Sequence, residues 1–122
     1  MGTTKKPRPS RSVGRRKVAL EPCDEPCPIE RGMRIIGGKW KGSILWHLAD
    51  GPVRFNELAR QLGGATRKMV NERLKELEAQ GLVTRNVLSD RPIAVSYEIT
   101  EFGRSALVVL EQLKDWADEH GI

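Results

Sequence analysis

The stretch from Arg67 to Lys75, Arg-Lys-Met-Val-Asn-Glu-Arg-Leu-Lys, has the pattern of an amphipathic helix. One side of this helix is apolar and carries Val70, Leu74 and, one turn on, Leu77. The other side carries Lys68, Asn71 and Lys75, which lie within about 60° of one another at roughly 100° per residue. Lysine suits phosphates or guanine edges, and asparagine can bind adenine through two hydrogen bonds. The pattern favours a helix that enters the DNA major groove, although an ordinary solvated helix face would look the same in isolation.

A shorter helix and a glycine turn come before the basic helix. Residues 55–62 have apolar side chains at helical spacing, and Gly63-Gly64 provides the turn. The Thr66 hydroxyl can cap the next helix, which we expect to run to about Gln80 and to stop at Gly81. Two helices joined by a short turn, the second with a basic outer face, form a helix-turn-helix.

A β-hairpin is predicted directly after the basic helix. Residues 82–88 have the composition of a strand, and residues 94–99 alternate between two faces. One face carries Val95, Tyr97 and Ile99, and the other carries Ala94, Ser96 and Glu98. The turn is Asp90-Arg91-Pro92, and Val53-Arg54 is a candidate edge strand. A hairpin in this position is a wing, which places Arg91 at the wing tip.

Further helices are expected on both sides of the helix-turn-helix. The first runs from Pro28 to the stop at Gly37-Gly38, and the second from about Lys39 to Ala49. Thr100 caps a last helix that reaches about His120, with an apolar stripe too broad for one domain to cover easily. We therefore expect dimerisation through this helix, although folding back onto its own domain is the alternative. The dimerisation candidates are Leu107, Leu110, Leu113 and Trp116.

Charge is distributed unevenly along the 122 residues, whose formal net charge is +5. Residues 1–20 hold seven basic residues and no acidic one, and residues 31–91 hold twelve basic and six acidic residues. From Glu101 onward there are two basic and five acidic residues, so the middle of the chain attracts polyanions and the end does not.

The same composition predicts the domain organisation. We interpret residues 1–22 as a disordered basic arm, which either adds salt-sensitive DNA contacts or only keeps the chain soluble. Residues 23–122 then form one domain of class α+β, mostly helical: a winged helix-turn-helix with a C-terminal dimerisation helix. The longest apolar run is five residues, and no apolar segment follows the basic N-terminus. We therefore predict a cytoplasmic protein with no membrane partner.

Six short motifs follow one another over about residues 23–118. They are Cys-Pro-Ile-Glu (27–30), Ile-Gly-Gly-Lys-Trp (36–40), Arg-Phe-Asn-Glu-Leu (54–58), Leu-Lys-Glu-Leu-Glu (74–78), Gly-Leu-Val (81–83) and Tyr-Glu-Ile-Thr-Glu-Phe-Gly (97–103). In order and spacing they resemble the HxlR-type bacterial regulators, a branch of the MarR-like winged-helix proteins. The resemblance implies a homodimeric transcription regulator that binds pseudo-palindromic operators. The turn Gly64-Ala65-Thr66 departs from the family, which often has a larger apolar residue before a serine, so base preference cannot be carried over.

The basic helix supplies the central DNA contacts on this fold. Arg67, Lys68 and Asn71 are the candidates for base edges, and Lys75 is a candidate for phosphate. Each subunit would read one half-site, with the half-site centres about 34 Å apart. The partners are therefore double-stranded DNA and a second copy of the chain.

Other DNA contacts are predicted beside the basic helix. Thr66 and Asn56 can contact phosphate, because helix N-termini offer unpaired backbone N–H groups. Arg91 can reach the minor groove, where narrow A·T tracts attract arginine. Arg85 is a weaker candidate, because a solvated strand residue is the simpler explanation of its position.

Two cysteines suggest a signal input. Cys27 lies at the start of the first helix, where the helix dipole favours the thiolate; Arg31 and Arg34 support this, and Glu25 and Glu30 oppose it. The resemblance implies more, since several family members sense oxidants or electrophiles through the matching cysteine. Cys23 lies four residues upstream, so a disulfide within one chain or between subunits is open. A buried, inert thiol is the alternative.

No other chemistry stands out in the sequence. Zinc would need two more ligands beside the cysteines, and His47 and His120 are remote, so we expect no metal and no cofactor. No nucleophile triad, carboxylate pair or nucleotide fingerprint is present, so we do not expect an enzyme. Two other interpretations stay open: a winged-helix protein-interaction module, and a regulator that ignores redox state and binds a small apolar molecule near Trp40 and Trp46.

Overall fold

The computed structural model describes residues 27–122, whose element order is that of a winged helix-turn-helix. The elements are α1 (Pro28–Ile36), α2 (Lys41–His47), β1 (Val53–Arg54), α3 (Phe55–Gln61), α4 (Arg67–Ala79), β2 (Val83–Asp90), β3 (Ile93–Ile99) and α5 (Glu101–Glu119). Helices α3 and α4 form the helix-turn-helix, and β2 and β3 form the wing. The predicted fold class is confirmed. The predicted basic arm (residues 1–22) and Cys23 lie outside the described residues.

A single apolar core fixes the orientation of α4 within residues 32–122. Val70, Leu74 and Leu77 of α4 are fully buried, together with apolar residues of α2, α3 and the sheet. Burying one such side chain contributes about 1.5–3 kcal/mol, so rotation of α4 about its axis would be costly. The opposite, polar side of α4 is therefore held toward solvent.

Threonine caps fix the first residues of α4 and α5, as the sequence predicts. The Thr66 hydroxyl accepts a hydrogen bond from the Met69 backbone N–H at 3.0 Å. The Thr100 hydroxyl accepts from the Gly103 N–H at 3.0 Å and donates to the Gly81 carbonyl at 2.7 Å. The start of α5 is thus bonded to the end of α4.

Helix α2 is shorter than the sequence predicts, beginning at Lys41 instead of about Lys39. The backbone is left-handed at Gly38, with φ of 92°, and at Trp40, with φ of 78°, so the helix cannot begin before Lys41. The Trp40 side chain instead reaches the helix-turn-helix: a β-carbon at Gly64 would lie 3.1 Å from the edge of its indole ring. Trp40 therefore packs against the turn between α3 and α4.

The sheet has the strand order β1-β3-β2 and is antiparallel, with β1 on the edge as predicted. The β2–β3 pairing shifts between Val87 and Ser89, so Leu88 is an extra residue and forms a β-bulge. The sequence groups Ser96 with Ala94 and the exposed Glu98 on one face, and Ser96 itself is buried. It lies on the central strand, where Arg54 and Asn86 flank it from both sides.

Helix α5 begins in close contact with the end of the hairpin. A β-carbon at Gly103 would lie 2.6 Å from Ile99 Cγ1 and closer still to the Leu82 carbonyl oxygen, so only glycine fits there. Further along, Leu110 is buried against the core and Leu107 is half-buried, whereas Leu113 and Trp116 are exposed. Among residues 27–122, no helix combines the length and apolar character needed to cross a bilayer.

Candidate nucleic-acid interface

The polar side of α4 presents the residues that the sequence singles out. Lys68 and Lys75 are exposed, and Asn71 is half-buried beside them. On the opposite side of α4, Val70 and Leu74 are buried in the core, which keeps the polar side toward solvent. Two ammonium groups and an amide thus project from one face of a helix of 13 residues, which fits the width of a DNA major groove.

Arg67, at the start of α4, is held in place by two residues of α3. Its Nη2 donates to Asn56 Oδ1 at 2.6 Å, and its guanidinium carbon lies 5.0 Å from the centre of the Phe55 ring. A hydrogen bond and a cation–π contact together restrict a long side chain before any ligand binds. Asn56 therefore positions Arg67, and its amide N–H groups remain able to donate to a phosphate.

A cleft of about 440 Å³ lies between the helix-turn-helix and the wing. Its walls include three residues that the sequence predicts to contact DNA, Asn56, Arg67 and Asn71. They also include Arg85, which was the weaker candidate, and Arg54 and Tyr97, which were not candidates for DNA contact. None of its ten lining residues is acidic. The cleft is therefore a cationic, partly apolar space beside the exposed face of α4.

The remaining predicted DNA contacts lie outside this cleft. Lys68 and Lys75 lie along the exposed side of α4, and Arg91 is exposed at the two-residue wing tip between β2 and β3. The Thr66 hydroxyl accepts the capping bond from Met69. The structure therefore brings Asn56, Arg67 and Asn71 together in the cleft, whereas the other candidates lie separately on the surface. Their roles in DNA binding stay predictions.

A second, mainly apolar groove of about 560 Å³ lies between α2 and α5. Trp40, Trp46 and Met33 line one side, and Leu113 lines the other. The exposed apolar residues of α5 are Phe102, Val108, Val109, Leu113 and Trp116, and of these Leu113 also lines the groove. Of the four dimerisation candidates, Leu113 and Trp116 offer surface to a partner, whereas Leu110 is occupied by the core of its own chain.

A buried lysine joins α1 to the end of α4. Lys41 is 5% exposed, and its Nζ donates to the Arg34 carbonyl at 3.3 Å and to Gln80 Oε1 at 3.1 Å. Gln80 Nε2 donates to the same Arg34 carbonyl at 3.3 Å. These bonds connect the second half of α1 to the C-terminal cap of the basic helix. A lysine at the start of a helix that carries Ile44, Leu45 and Trp46 was the sequence feature that could have drawn attention to this position.

Cys27, His47 and His120, which were considered as redox-active residues or metal ligands, do not line the cleft beside α4. Cys27 is half-buried and directly precedes α1, while Cys23 lies outside the described residues. His47 and His120 are both exposed. In the described part of the chain, no three of the histidine, cysteine and acidic side chains are grouped closely enough to hold a metal ion.

The sequence is similar to those of known transcriptional regulators. The model of the HxlR-like helix-turn-helix family matches residues 35–121. The HTH-type transcriptional regulator YybR of Bacillus subtilis (strain 168) is 41% identical over 104 residues, which cover 85% of this chain and 83% of YybR.

Two solved structures are similar in fold and in sequence. The redox regulator HypR in its oxidised form superposes with a TM-score of 0.71 at 43% identity, covering 76% of this chain and 96% of HypR. A MarR-family regulator from Porphyromonas gingivalis W83 has a TM-score of 0.75 at 29% identity, covering 81% of this chain and 97% of that protein.

Proposed function

Because the chain belongs to the HxlR-like helix-turn-helix family of transcriptional regulators, we propose that it is a homodimeric repressor of a pseudo-palindromic operator. Membership of this family also confirms two expectations from the sequence, a winged helix-turn-helix and a regulator that is not an enzyme. The observation that supports the proposal most is the polar side of α4, with Lys68, Asn71 and Lys75 next to a cleft without acidic side chains. Since its target is chromosomal DNA, we place the protein in the cytoplasm.

In the proposed complex, different residues contact the bases, the phosphates and the minor groove of the operator. Helix α4 enters the major groove, where Arg67, Lys68 and Asn71 meet base edges and Lys75 meets a phosphate. The bond to Asn56 restricts the Arg67 side chain before DNA binds. Arg91 at the wing tip enters the adjacent minor groove. Two subunits bind half-sites about 34 Å apart and block polymerase when the operator overlaps a promoter.

The first test is a salt series with the DNA upstream of the protein's own gene. A dimer that contacts about six phosphates should lose roughly 10³ in affinity between about 50 and 200 mM salt, because each contact releases a condensed counterion. Fluorescence anisotropy with labelled duplex measures the slope of log K against log salt. A flat, weak response would contradict DNA binding and favour the winged-helix protein-interaction module.

We further propose that oxidation of Cys27, with Cys23, changes operator affinity. The similar protein HypR is a redox regulator, and Cys27 directly precedes α1. The second half of α1 is bonded through Lys41 to the cap of α4. A displacement of α1 would therefore change the support of the basic helix. Disulfide formation, within one chain or between two, transfers two electrons and two protons to the oxidant.

Cys27→Ser is expected to remove the response to oxidant. Diamide should change the operator affinity of the wild-type protein, while the Cys27→Ser variant should bind with the same Kd before and after treatment. Reduction with dithiothreitol should reverse the wild-type change. Cys23→Ser reports whether the second thiol is the partner, and non-reducing electrophoresis distinguishes a bond within the chain from one between subunits. A wild-type Kd that diamide does not alter would contradict thiol sensing.

A ligand-responsive regulator without thiol sensing is the second candidate. The apolar groove between α2 and α5 contains Trp40 and Trp46, where the sequence predicts such a ligand to bind. Trp40 also packs against Gly64 in the turn before α4, so a ligand that displaces Trp40 would disturb the helix-turn-helix. A variant with both cysteines replaced by serine separates the two candidates, since only the thiol sensor depends on them.

A further inference from the structure

Arg85 faces the cleft because of the bulge in the wing. At the wing tip, Ser89 pairs with Ala94. If this register continued along β2 without interruption, Arg85 would lie opposite Glu98. The extra residue Leu88 shifts the register by one, so Arg85 pairs with Tyr97 instead. A shift of one residue moves every side chain to the other face of the sheet, and directly opposed residues share a face. Arg85 and Tyr97 therefore lie together on the face that lines the cleft.

The surroundings of Arg85 favour an anion. Arg67 lines the cleft from α4 and Arg54 lines it from the end of β1, and none of the ten lining residues carries a negative charge. The Arg67 guanidinium donates to the Asn56 amide, which is neutral, so this bond does not balance the positive charge of Arg67. The positive charges of Arg67 and Arg85 on two sides of one half-open space raise the local potential and attract a polyanion.

Tyr97 adds a neutral donor at the floor of the cleft. Its side chain is 4% exposed, and burial raises the pKa of Tyr97 above its ordinary value near 10, although the charge of Arg85 opposes this rise. The phenol is thus protonated at neutral pH. Its oxygen can accept a hydrogen bond from Arg85 while its O–H donates to a bound anion.

We propose that this cleft binds one backbone phosphate of the operator, with Arg85 as its main ligand and Tyr97 as a supporting contact. The inference rests on the proposed function, in which α4 occupies the major groove and the wing tip the adjacent minor groove. The sugar-phosphate strand that separates these two grooves must then pass between α4 and the wing, where the cleft lies. Arg85 accordingly contributes affinity for any sequence and does not read bases.

The test compares Arg85→Gln with Arg104→Gln. Arg85→Gln removes one phosphate contact from each subunit, so the salt slope of a dimer should fall by about 1.8, at about 0.9 per contact. Operator and unrelated DNA should lose affinity by a similar factor. Arg104 is exposed on α5, which follows the end of β3 opposite the wing tip, and it donates to the Ala49 carbonyl at 3.1 Å. Arg104→Gln should therefore keep the wild-type slope.

Methylphosphonate substitution identifies the phosphate. A neutral methylphosphonate at one position of each half-site should weaken the wild-type protein, and Arg85→Gln should be insensitive to the same substitution. A steep wild-type slope with an unchanged slope for Arg85→Gln would overturn this inference and leave the proposed function intact. Loss of operator affinity without loss on unrelated DNA would also overturn it, since Arg85 would then read bases. A flat wild-type slope would overturn both proposals.

Discussion

Replacing Lys68 and Asn71 together with alanine is expected to abolish specific operator binding. Both side chains project from the polar side of α4, away from the core. A good side-chain pair with a base edge is worth about 1–3 kcal/mol, so two lost contacts in each half-site weaken binding by at least about 30-fold per subunit. In a dimer the loss occurs twice and reaches at least about 900-fold, which is close to the lower end of the typical ratio of about 10³–10⁷ between specific and non-specific affinity.

The fold of this variant should be unaffected. Alanine is the strongest helix former, and neither position contributes to the buried cluster of Val70, Leu74 and Leu77. Footprinting and anisotropy measure the operator affinity, while circular dichroism and light scattering measure the fold and the mass of the particle. The matched control, Lys39→Ala with Gln112→Ala, also removes one lysine and one side-chain amide, both at exposed positions away from α4, and it should bind like the wild type. A normal footprint from the Lys68/Asn71 variant would contradict the role of α4 as the DNA-reading helix.

The face of α4 could be predicted because its determinants are local. The spacing of Val70, Leu74 and Leu77 gives the buried side, and Thr66 and Gly81 mark the two ends. Helical periodicity and capping depend only on residues within one or two turns. The same reasoning correctly locates Thr100 as the cap of α5.

The position of Arg85 could not be predicted, because it depends on the pairing of two strands. A register continued without interruption from the wing tip would place Arg85 opposite Glu98, and only the bulge at Leu88 brings it opposite Tyr97. The sequence around Leu88 contains no glycine that would mark a bulge. The contribution of Arg85 to the cleft therefore becomes visible only when the register is known.

The start of α2 and the burial of Lys41 were missed for a related reason. Trp40 adopts a left-handed backbone that a non-glycine residue seldom takes, and it packs against Gly64, which is distant in sequence. Lys41 is buried because the Arg34 carbonyl and the Gln80 side chain satisfy its ammonium group. Both arrangements depend on contacts between separate helices, which periodicity within one helix does not specify.

Helix α5 has two faces that the sequence could not separate. Leu110 packs into the core of its own chain, while Leu113 and Trp116, which are 53% and 54% exposed, lie on the outer side. Exposed apolar residues of this size on one helix are typical of an association surface. If two copies pair through this surface, operator affinity depends on it, because each subunit contacts one half-site.

Leu113→Glu is therefore expected to convert the dimer to a monomer and to reduce operator affinity by about 10²–10⁴-fold. A carboxylate in an apolar interface must lose its hydration without gaining a partner, which opposes association. Separate monomers also lose the effective concentration that links the second half-site to the first, without any change in α4. Light scattering measures the mass, and anisotropy on a full operator and on a single half-site measures the two affinities. The monomer should bind the half-site as well as one wild-type subunit does.

The matched control is Arg104→Gln, which changes the net charge by the same amount at another exposed position of α5. It should leave the mass and the operator affinity unchanged, because position 104 lies about 180° around the helix from Leu113 and about 120° from Trp116. Trp116→Ala, one turn further on, should weaken the dimer without adding a charge, since interfacial tryptophans often account for much of the association energy. If Leu113→Glu stays dimeric and binds the full operator like the wild type, α5 is not the interface. The two reading helices would then have to be paired through another surface.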